Sequence, residues 1–205
     1  MKMQPLVSII TPTTHDRALF NERMYRIVES QDYPNIEHVV SFDQSKVLGA
    51  KMNDMIASCR GEIIVNIDSD DWYASDWVSR MVDLLMRSGA DVAGLKKAYF
   101  YKEPELWSYT YPSYDKCLFG ATMCHTRAFW ERNPYQTKMV GYDVDFTQKN
   151  CNIAVSDYIN GFVATVHVDN TSPKNMTGER WVKERATIYL NVQDRKAQVQ
   201  GEPRL

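Results

Sequence analysis

The sequence predicts an α/β fold with a mostly parallel central sheet flanked by helices. Three observations carry that prediction. The first 90 residues alternate strand-like and helix-like patterns three times, and such units force parallel strands joined by right-handed crossovers. The strand segments are continuous apolar runs rather than alternating ones, the pattern of strands covered on both faces. The 205 residues, with a 44% hydrophobic fraction, suit one domain with a substantial core.

Leu6 to Thr11 (LVSIIT) is the first such run, β-branched and apolar. Ala18 to Gln31 follows with Leu19, Met24, Ile27 and Val28 at helical spacing, and Tyr33-Pro34-Asn35 stops it. Ile36 to Phe42 is the second strand, and Val47 to Cys59 the second helix, ended by Arg60-Gly61. Glu62 to Ile67 is the third strand, and Ala74 to Ser88 the third helix, closed by Gly89. The second half is less regular. Asp91 to Tyr101 and Leu106 to Tyr111 read as paired strands around Lys102-Glu103-Pro104, and Phe119 to His125 as another strand. Short helices are expected at Arg127 to Arg132 and Tyr142 to Asn150, strands at Ile153 to Val155 and Gly161 to Val168, and a final helix from Gly178 to Gln198.

Bulk properties exclude several classes. Net charge is −2, so no global field favours nucleic acid or an anionic membrane. From Thr171 to Leu205 there are seven Lys/Arg against four Asp/Glu, a local excess read first as a solvated helix. The opening MKMQPLVSIITPT does not read as a signal peptide, and no window approaches the roughly 20 apolar residues of a membrane span. Cys59, Cys117, Cys124 and Cys151 form no CxxC pair and read as reduced thiols of a cytoplasmic protein. Two glycosylation sequons, at Asn170 and Asn175, are expected to be idle in that compartment.

In parallel sheets ligands bind beyond the carboxyl ends of the strands. That rule singles out Thr11 to Asp16, Asp43 to Lys46 and Asp68 to Asp71. The last is the strongest signal: Asp68-Ser69-Asp70-Asp71 puts three carboxylates in four residues directly after a buried strand, in a loop expected at the surface. Crowded like charges cost free energy unless a cation offsets them, and a hard divalent ion with oxygen ligands does so. Capping the following helix would need one aspartate, not three.

Here the sequence resembles family 2 inverting glycosyltransferases, which have the Rossmann-like, nucleotide-sugar-binding GT-A fold. VNIDSDDWYASDW resembles the family's DxD segment, and VSIITPT its first strand and nucleotide-binding loop. Gly49-Ala50-Lys51-Met52-Asn53 with Arg60-Gly61-Glu62 resembles its G-x-(K/R)-x-N…G-E stretch. Phe119 to Cys124 with Trp130 resembles an acceptor-side segment, Val140 to Phe146 the G-E-D-x-x-F segment, and Val166 to Thr171 a late histidine-bearing strand end. Two departures stand out: His15 replaces a frequent asparagine, and Tyr142-Asp143 replaces Glu-Asp.

The resemblance implies a metal-dependent, inverting transfer from a nucleotide-diphosphate sugar, with Mn2+ or Mg2+ as cofactor. It implies that Pro12, Thr13 and Thr14 line the nucleotide pocket, that Asp43 receives the base, and that Lys51 and Asn53 sit near the base or diphosphate. Asp68 would contact ribose or metal, Asp70 would ligate the metal, His167 would contact metal or diphosphate, and Asp143 would be the catalytic base, with Asp145 its rival two residues on. The donor half would span about residues 1–100, the acceptor half about 101–175, and a basic helix or tail about 176–205, all within one domain. The acceptor stays open between a glycan, a lipid-linked glycan, a protein and a modified DNA base as in some phage enzymes. A catalytically silent nucleotide- or sugar-binding module is the alternative that Tyr142 keeps alive. Trp107, Tyr109, Tyr111 and Tyr114 form an aromatic stretch suited either to sugar rings or to burial in a strand pair.

Overall fold

A computed structural model describes residues 4–148, 150–172 and 174–185. The three strand–helix units of the first half form as β1 (Val7–Pro12), α1 (Ala18–Glu29), β2 (Ile36–Ser41), α2 (Leu48–Ser58) and β3 (Ile63–Asn66), then β4 (Trp72–Tyr73) and α3 (Trp77–Ser88). The second half adds β5 (Val92–Gly94), β6 (Lys97–Lys102), β7 (Glu105–Thr110), β8 (Cys124–Thr126), α4 (Arg127–Arg132), α5 (Tyr142–Gln148), β9 (Ile153–Val155), β10 (Phe162–Thr165) and β11 (Trp181–Lys183).

The main sheet has the order β2-β1-β3-β8-β5-β9. β1 pairs in parallel with β2 and β3, and β5 with β9; β8 runs antiparallel to both its neighbours. The apolar runs of β1 and β3 alternate between two cores, as the period-2 geometry of a strand requires. Val7, Ile9, Ile63 and Val65 face the side covered by Ile27 of α1 and Trp77, Met81 and Leu85 of α3. Ile10 and Ile64 face the side covered by Met52 and Ile56 of α2, Phe129 of α4 and Phe146 of α5. Gly89, at φ 65°, ends α3 in the left-handed conformation that glycine adopts without strain.

Three expectations are corrected. The strand expected over Asp91 to Tyr101 is two strands in different sheets: Leu95 N–H donates to Thr122 Oγ1 at 3.0 Å, and the chain crosses from β5 to β6. The strand expected from Phe119 begins only at Cys124, because Gly120–Thr122 is a 3-10 turn. Within the helix expected from Gly178 to Gln198, Trp181–Lys183 is a strand instead, and residues 186–205 lie outside the described residues. Gly178 has φ 93°, which interrupts a helix at its first turn. Trp181 then gains more by packing on Phe100 and Tyr109, each at a ring separation of 4.9 Å.

β11 belongs to a second sheet, β11-β7-β6-β10-β4. β10 pairs parallel with β6 and antiparallel with β4. This sheet carries the chain from the Asp68 loop round to the far wall of the candidate site. Among the described residues, no helix is long and apolar enough to cross a membrane. The four cysteines are free and buried.

Candidate functional site

A cavity of about 390 Å³ opens beyond the carboxyl ends of β1 and β3. Arg17, Asp68, Asp70, Asp71 and Lys174 form its charged side beside Pro12, and Asp143 faces the same space from the start of α5. Phe100, Tyr109, Tyr111, Phe119 and Trp181 make an aromatic wall. Of the aromatic stretch read from the sequence, Tyr109 and Tyr111 thus reach the cavity. Tyr114 is exposed, and Trp107 lies beneath the Lys183 ammonium.

The carboxylates of Asp68, Asp70 and Asp71 offer oxygens within 4.8 Å of one another. The sequence suggested a surface loop, but folding buries it: Asp70 is 8% and Asp71 6% exposed. Burial, then the charge of Asp70, pushes the Asp68 carboxyl up to about 7. The same two causes hold Asp71 well above the ordinary carboxylate range. Such a cluster fits a hard cation, whose charge removes the repulsion that crowding creates. Asp71 also braces the loop, since its Oδ1 accepts Thr165 N–H at 2.8 Å.

Asp70 organises the charged side of the cavity. Its Oδ2 accepts from Arg17 Nη1 at 3.2 Å and Asn170 Nδ2 at 3.4 Å, and lies 2.8 Å from His167 Nε2. Asp169 N–H points at His167 Nδ1 at 3.3 Å. His167 also stacks on Phe20 at 4.9 Å. Arg17 Nη2 donates to Asp169 O at 2.6 Å, and Arg23 Nη2 donates to the carbonyl of Asp70. The loop after β10 is therefore tied to the acidic cluster through one carboxylate.

Asp143 and Asp145 are separated by geometry. Asp143 Oδ1 accepts Val144 N–H at 2.9 Å and Oδ2 accepts Gly120 N–H at 3.2 Å. Burial raises its carboxyl above the usual range against the pull of those amides. Asp145 does not line the cavity and is paired with Lys138.

The other expected nucleotide contacts divide. Pro12 lines the cavity, and Asp68 does too. Thr13 is buried and turned inward: its hydroxyl donates to Asn21 Oδ1 at 2.6 Å, and Ser69 Oγ lies 3.1 Å away. The carbonyl of Thr14 accepts from Asn21 at 2.9 Å. Asp43 is exposed and closes its own turn, accepting from Ser45 N–H at 2.8 Å and Ser45 Oγ at 2.6 Å. Lys51 is buried, with Nζ on Thr13 O at 2.6 Å, and burial lowers its pKa.

Asn53 is not brought to the cavity at all. Its Nδ2 donates to Tyr135 O at 2.9 Å, while Oδ1 accepts Trp130 Nε1 at 2.9 Å and Tyr135 N–H at 3.0 Å. Gly49 explains its own place in the same stretch, because a Cβ there would lie 1.9 Å from Gln136 O. The Gly49–Asn53 stretch is, in this fold, a brace between α2 and the 130–138 segment.

Arg17 and Lys174 were missed from the sequence. The strand-end rule stopped at Asp16, one residue short of Arg17. Lys174 stood only in the count of a basic tail. Burial lowers the Lys174 pKa, opposed by the four surrounding aspartates Asp71, Asp143, Asp68 and Asp70.

Clustered carboxylates beyond a parallel sheet face an acid across an aromatic-walled cavity, and the fold that brings them together is the GT-A fold. Solved structures share that fold. S. aureus TarS, residues 1–349, superposes with a TM-score of 0.61 at 18% identity, covering 78% of this chain and 60% of that one. The same TarS fragment in complex with UDP-GlcNAc gives 0.61 at 14%, covering 81% and 60%. The mannosyltransferase PcManGT from Pyrobaculum calidifontis, in complex with GDP-Man and Mn2+, gives 0.60 at 18%, covering 85% and 59%. The chain thus spans about 60% of the length of these relatives. No curated protein matches it. Residues 29–149 match glycosyl transferase family 2, and the chain belongs to that family.

Proposed function

We propose that this chain transfers a sugar from a nucleoside-diphosphate sugar to an acceptor hydroxyl by a single inverting displacement, with Asp143 as general base. The observation that carries the reading is the shared cavity: Asp143 and the Asp68–Asp70–Asp71 cluster face one space, while Asp145 is paired away from it. A leaving diphosphate held near the cluster and a hydroxyl held near Asp143 would sit on opposite sides of the anomeric carbon. Asp143, raised by burial, takes the acceptor proton as that oxygen attacks. Arg17 and Lys174 offer positive charge to the phosphates. Asp68 and Asp70 would hold Mn2+ or Mg2+, with His167 beside Asp70; when bound, the ion neutralises charge on the departing diphosphate. The neighbours bound to UDP-GlcNAc and to GDP-Man with Mn2+ support that donor class and cofactor.

The chain is read as one domain, with the donor half over about residues 1–100 and the acceptor half over about 101–175. Tyr109 and Tyr111 of the acceptor half, with Trp181 from the segment after it, give flat apolar faces suited to a sugar ring. A cytoplasmic setting suits a soluble donor and four free thiols.

The test is thermal stabilisation by nucleoside diphosphates and nucleotide sugars, with and without Mn2+. A ligand at 100 times its Kd stabilises by about 2.7 kcal/mol. Asp70→Asn keeps the shape and should remove the metal-dependent part of that stabilisation. Asp143→Asn should keep donor binding and lower turnover by about 100-fold or more. Unchanged metal dependence in Asp70→Asn would refute the metal site.

A further inference from the structure

Asp143 does not stand alone at the start of its helix; it rests on a turn that has no side chain at the point of contact. A Cβ built on Gly120 would lie 2.7 Å from Asp143 Oδ2, 3.0 Å from its Cβ and 3.2 Å from its Cγ. Real Cβ atoms do not approach that closely, so position 120 admits only glycine while the carboxyl keeps this place. The same residue's N–H donates to Oδ2 at 3.2 Å. With Val144 N–H on Oδ1, two backbone amides fix the plane of the carboxyl.

The turn is anchored in turn to the strand and loop that carry the acidic cluster. Asn66, 1% exposed at the end of β3, donates from Nδ2 to Gly120 O at 2.8 Å. Its own N–H donates to Met123 O at 2.9 Å. The Tyr73 hydroxyl accepts Asp68 N–H at 2.9 Å and donates to Ala121 O at 2.9 Å. Tyr73 is fully buried against Trp77 and Phe162, so this bridge is held by the core. Asn66 therefore ties the end of β3 to the turn, the Tyr73 hydroxyl ties the Asp68 amide to it, and Gly120 N–H ties the turn to Asp143.

We propose that the Gly120–Ala121 turn, anchored by Asn66 and Tyr73, is a positioning element that sets the Asp143 carboxyl relative to the Asp68 loop. The inference rests on Asp143 being the base. Gly120 lines the cavity beside Asp143, and it acts by leaving room and by donating one hydrogen bond. Because transfer requires the acceptor oxygen, the anomeric carbon and the leaving diphosphate in line, a displacement of the base of about 1 Å is worth about 100-fold in rate.

The experiment uses the full chain with UDP-GlcNAc and GDP-mannose in Mn2+, reading nucleoside diphosphate release with water as acceptor. Gly120→Ala should lower kcat by about 100-fold while donor KM stays within about twofold. In an Asp143→Asn background, Gly120→Ala should cost nothing further, because the two act through one group. A substrate-free arm measures the thermal midpoint. Gly120→Ala should lower it in the wild-type background and much less in Asp143→Ala, where the carboxyl that the new methyl meets is gone. Equal lowering in both backgrounds overturns the seat. If Gly120→Ala does not fold, Asn66→Ala replaces it, with a kcat loss of about tenfold or more expected at unchanged donor KM. If Asp143→Asn is crippled while Gly120→Ala or Asn66→Ala turns over normally, the base stands and the positioning role is overturned. A raised donor KM with kcat retained overturns it equally. If Asp143→Asn itself turns over normally, the base assignment fails and this inference falls with it.

Discussion

One buried and one half-buried histidine should make the folded chain acid-sensitive in a way that is separable from its acidic cluster. His125 is fully buried between Tyr135 and Phe146, at ring separations of 6.0 and 5.0 Å, and burial pushes its pKa down to about 4. His38, on β2, lies against Tyr25 with Nε2 3.0 Å from Thr11 Oγ1, and burial lowers it likewise to about 4. Both are bases whose ordinary value is 6.5. Between those values the unfolded chain binds protons that the folded chain refuses, so stability rises with pH there and is lost as pH falls from 6.5 toward 4. The full effect is about 3.4 kcal/mol per histidine below both values, and about 2 kcal/mol each at pH 5. Asp68 works in the opposite sense. Its carboxyl, at about 7 when folded against 3.8 otherwise, gives back stability as pH falls through 7. The raw pH profile therefore mixes the two, and the difference between proteins isolates the histidines. Unfolding free energies from urea titration, with chelator present, are compared at pH 7.5 and pH 5 for the wild type and for His38→Gln/His125→Gln. The wild type should lose about 4 kcal/mol more than the double variant over that interval. Parallel pH dependences in the two proteins would refute the reasoning, whatever their absolute stabilities.

Asn53→Ala should destabilise by about 1–3 kcal/mol, since it leaves Trp130 Nε1 and two backbone groups of Tyr135 unpartnered. Folded Asn53→Ala should bind nucleotide as the wild type does, and a selective loss of binding measured by calorimetry would return Asn53 to the site. Gly49→Ala should cost about 1–3 kcal/mol by overpacking against Gln136 O, read from the urea midpoint. Asp145→Asn should leave turnover near wild type, because that carboxylate is paired with Lys138 outside the cavity; a loss matching that of Asp143→Asn would exchange their roles. Asp43→Ala should weaken nucleotide binding equally with and without Mn2+ if the base rests there, and a loss seen only with Mn2+ would place Asp43 at the metal instead.

How much of this site was legible in the sequence follows from the range over which each signal acts. The Asp68–Asp71 loop was visible because a buried strand and the carboxylates after it are adjacent in the chain. Asp143 was visible only through a family resemblance, and its advantage over Asp145 rested on that motif match alone. It depends on which of two neighbouring carboxylates meets Gly120 and which meets Lys138. The Gly49–Asn53 stretch was legible as a motif but not in its purpose. Asn53 makes its bonds to residues 77 and 82 positions away, and no local pattern encodes that distance.

The sequence by itself determined the alternation of strands and helices in the first half, the buried faces of β1 and β3, and the place of the acidic loop beyond them. Those are consequences of side-chain period and of turn chemistry within a dozen residues. Only the tertiary structure decided that β8 runs antiparallel, that Asp91 to Tyr101 divides between two sheets, and that Trp181 joins a strand rather than a helix. In each case a short segment paired with strands distant in the chain, and those partners outweighed local propensity. The charged side of the cavity obeys the same rule. Arg17 meets Asp70 across 53 residues and His167 meets it across 97, so only folding brings those charges together.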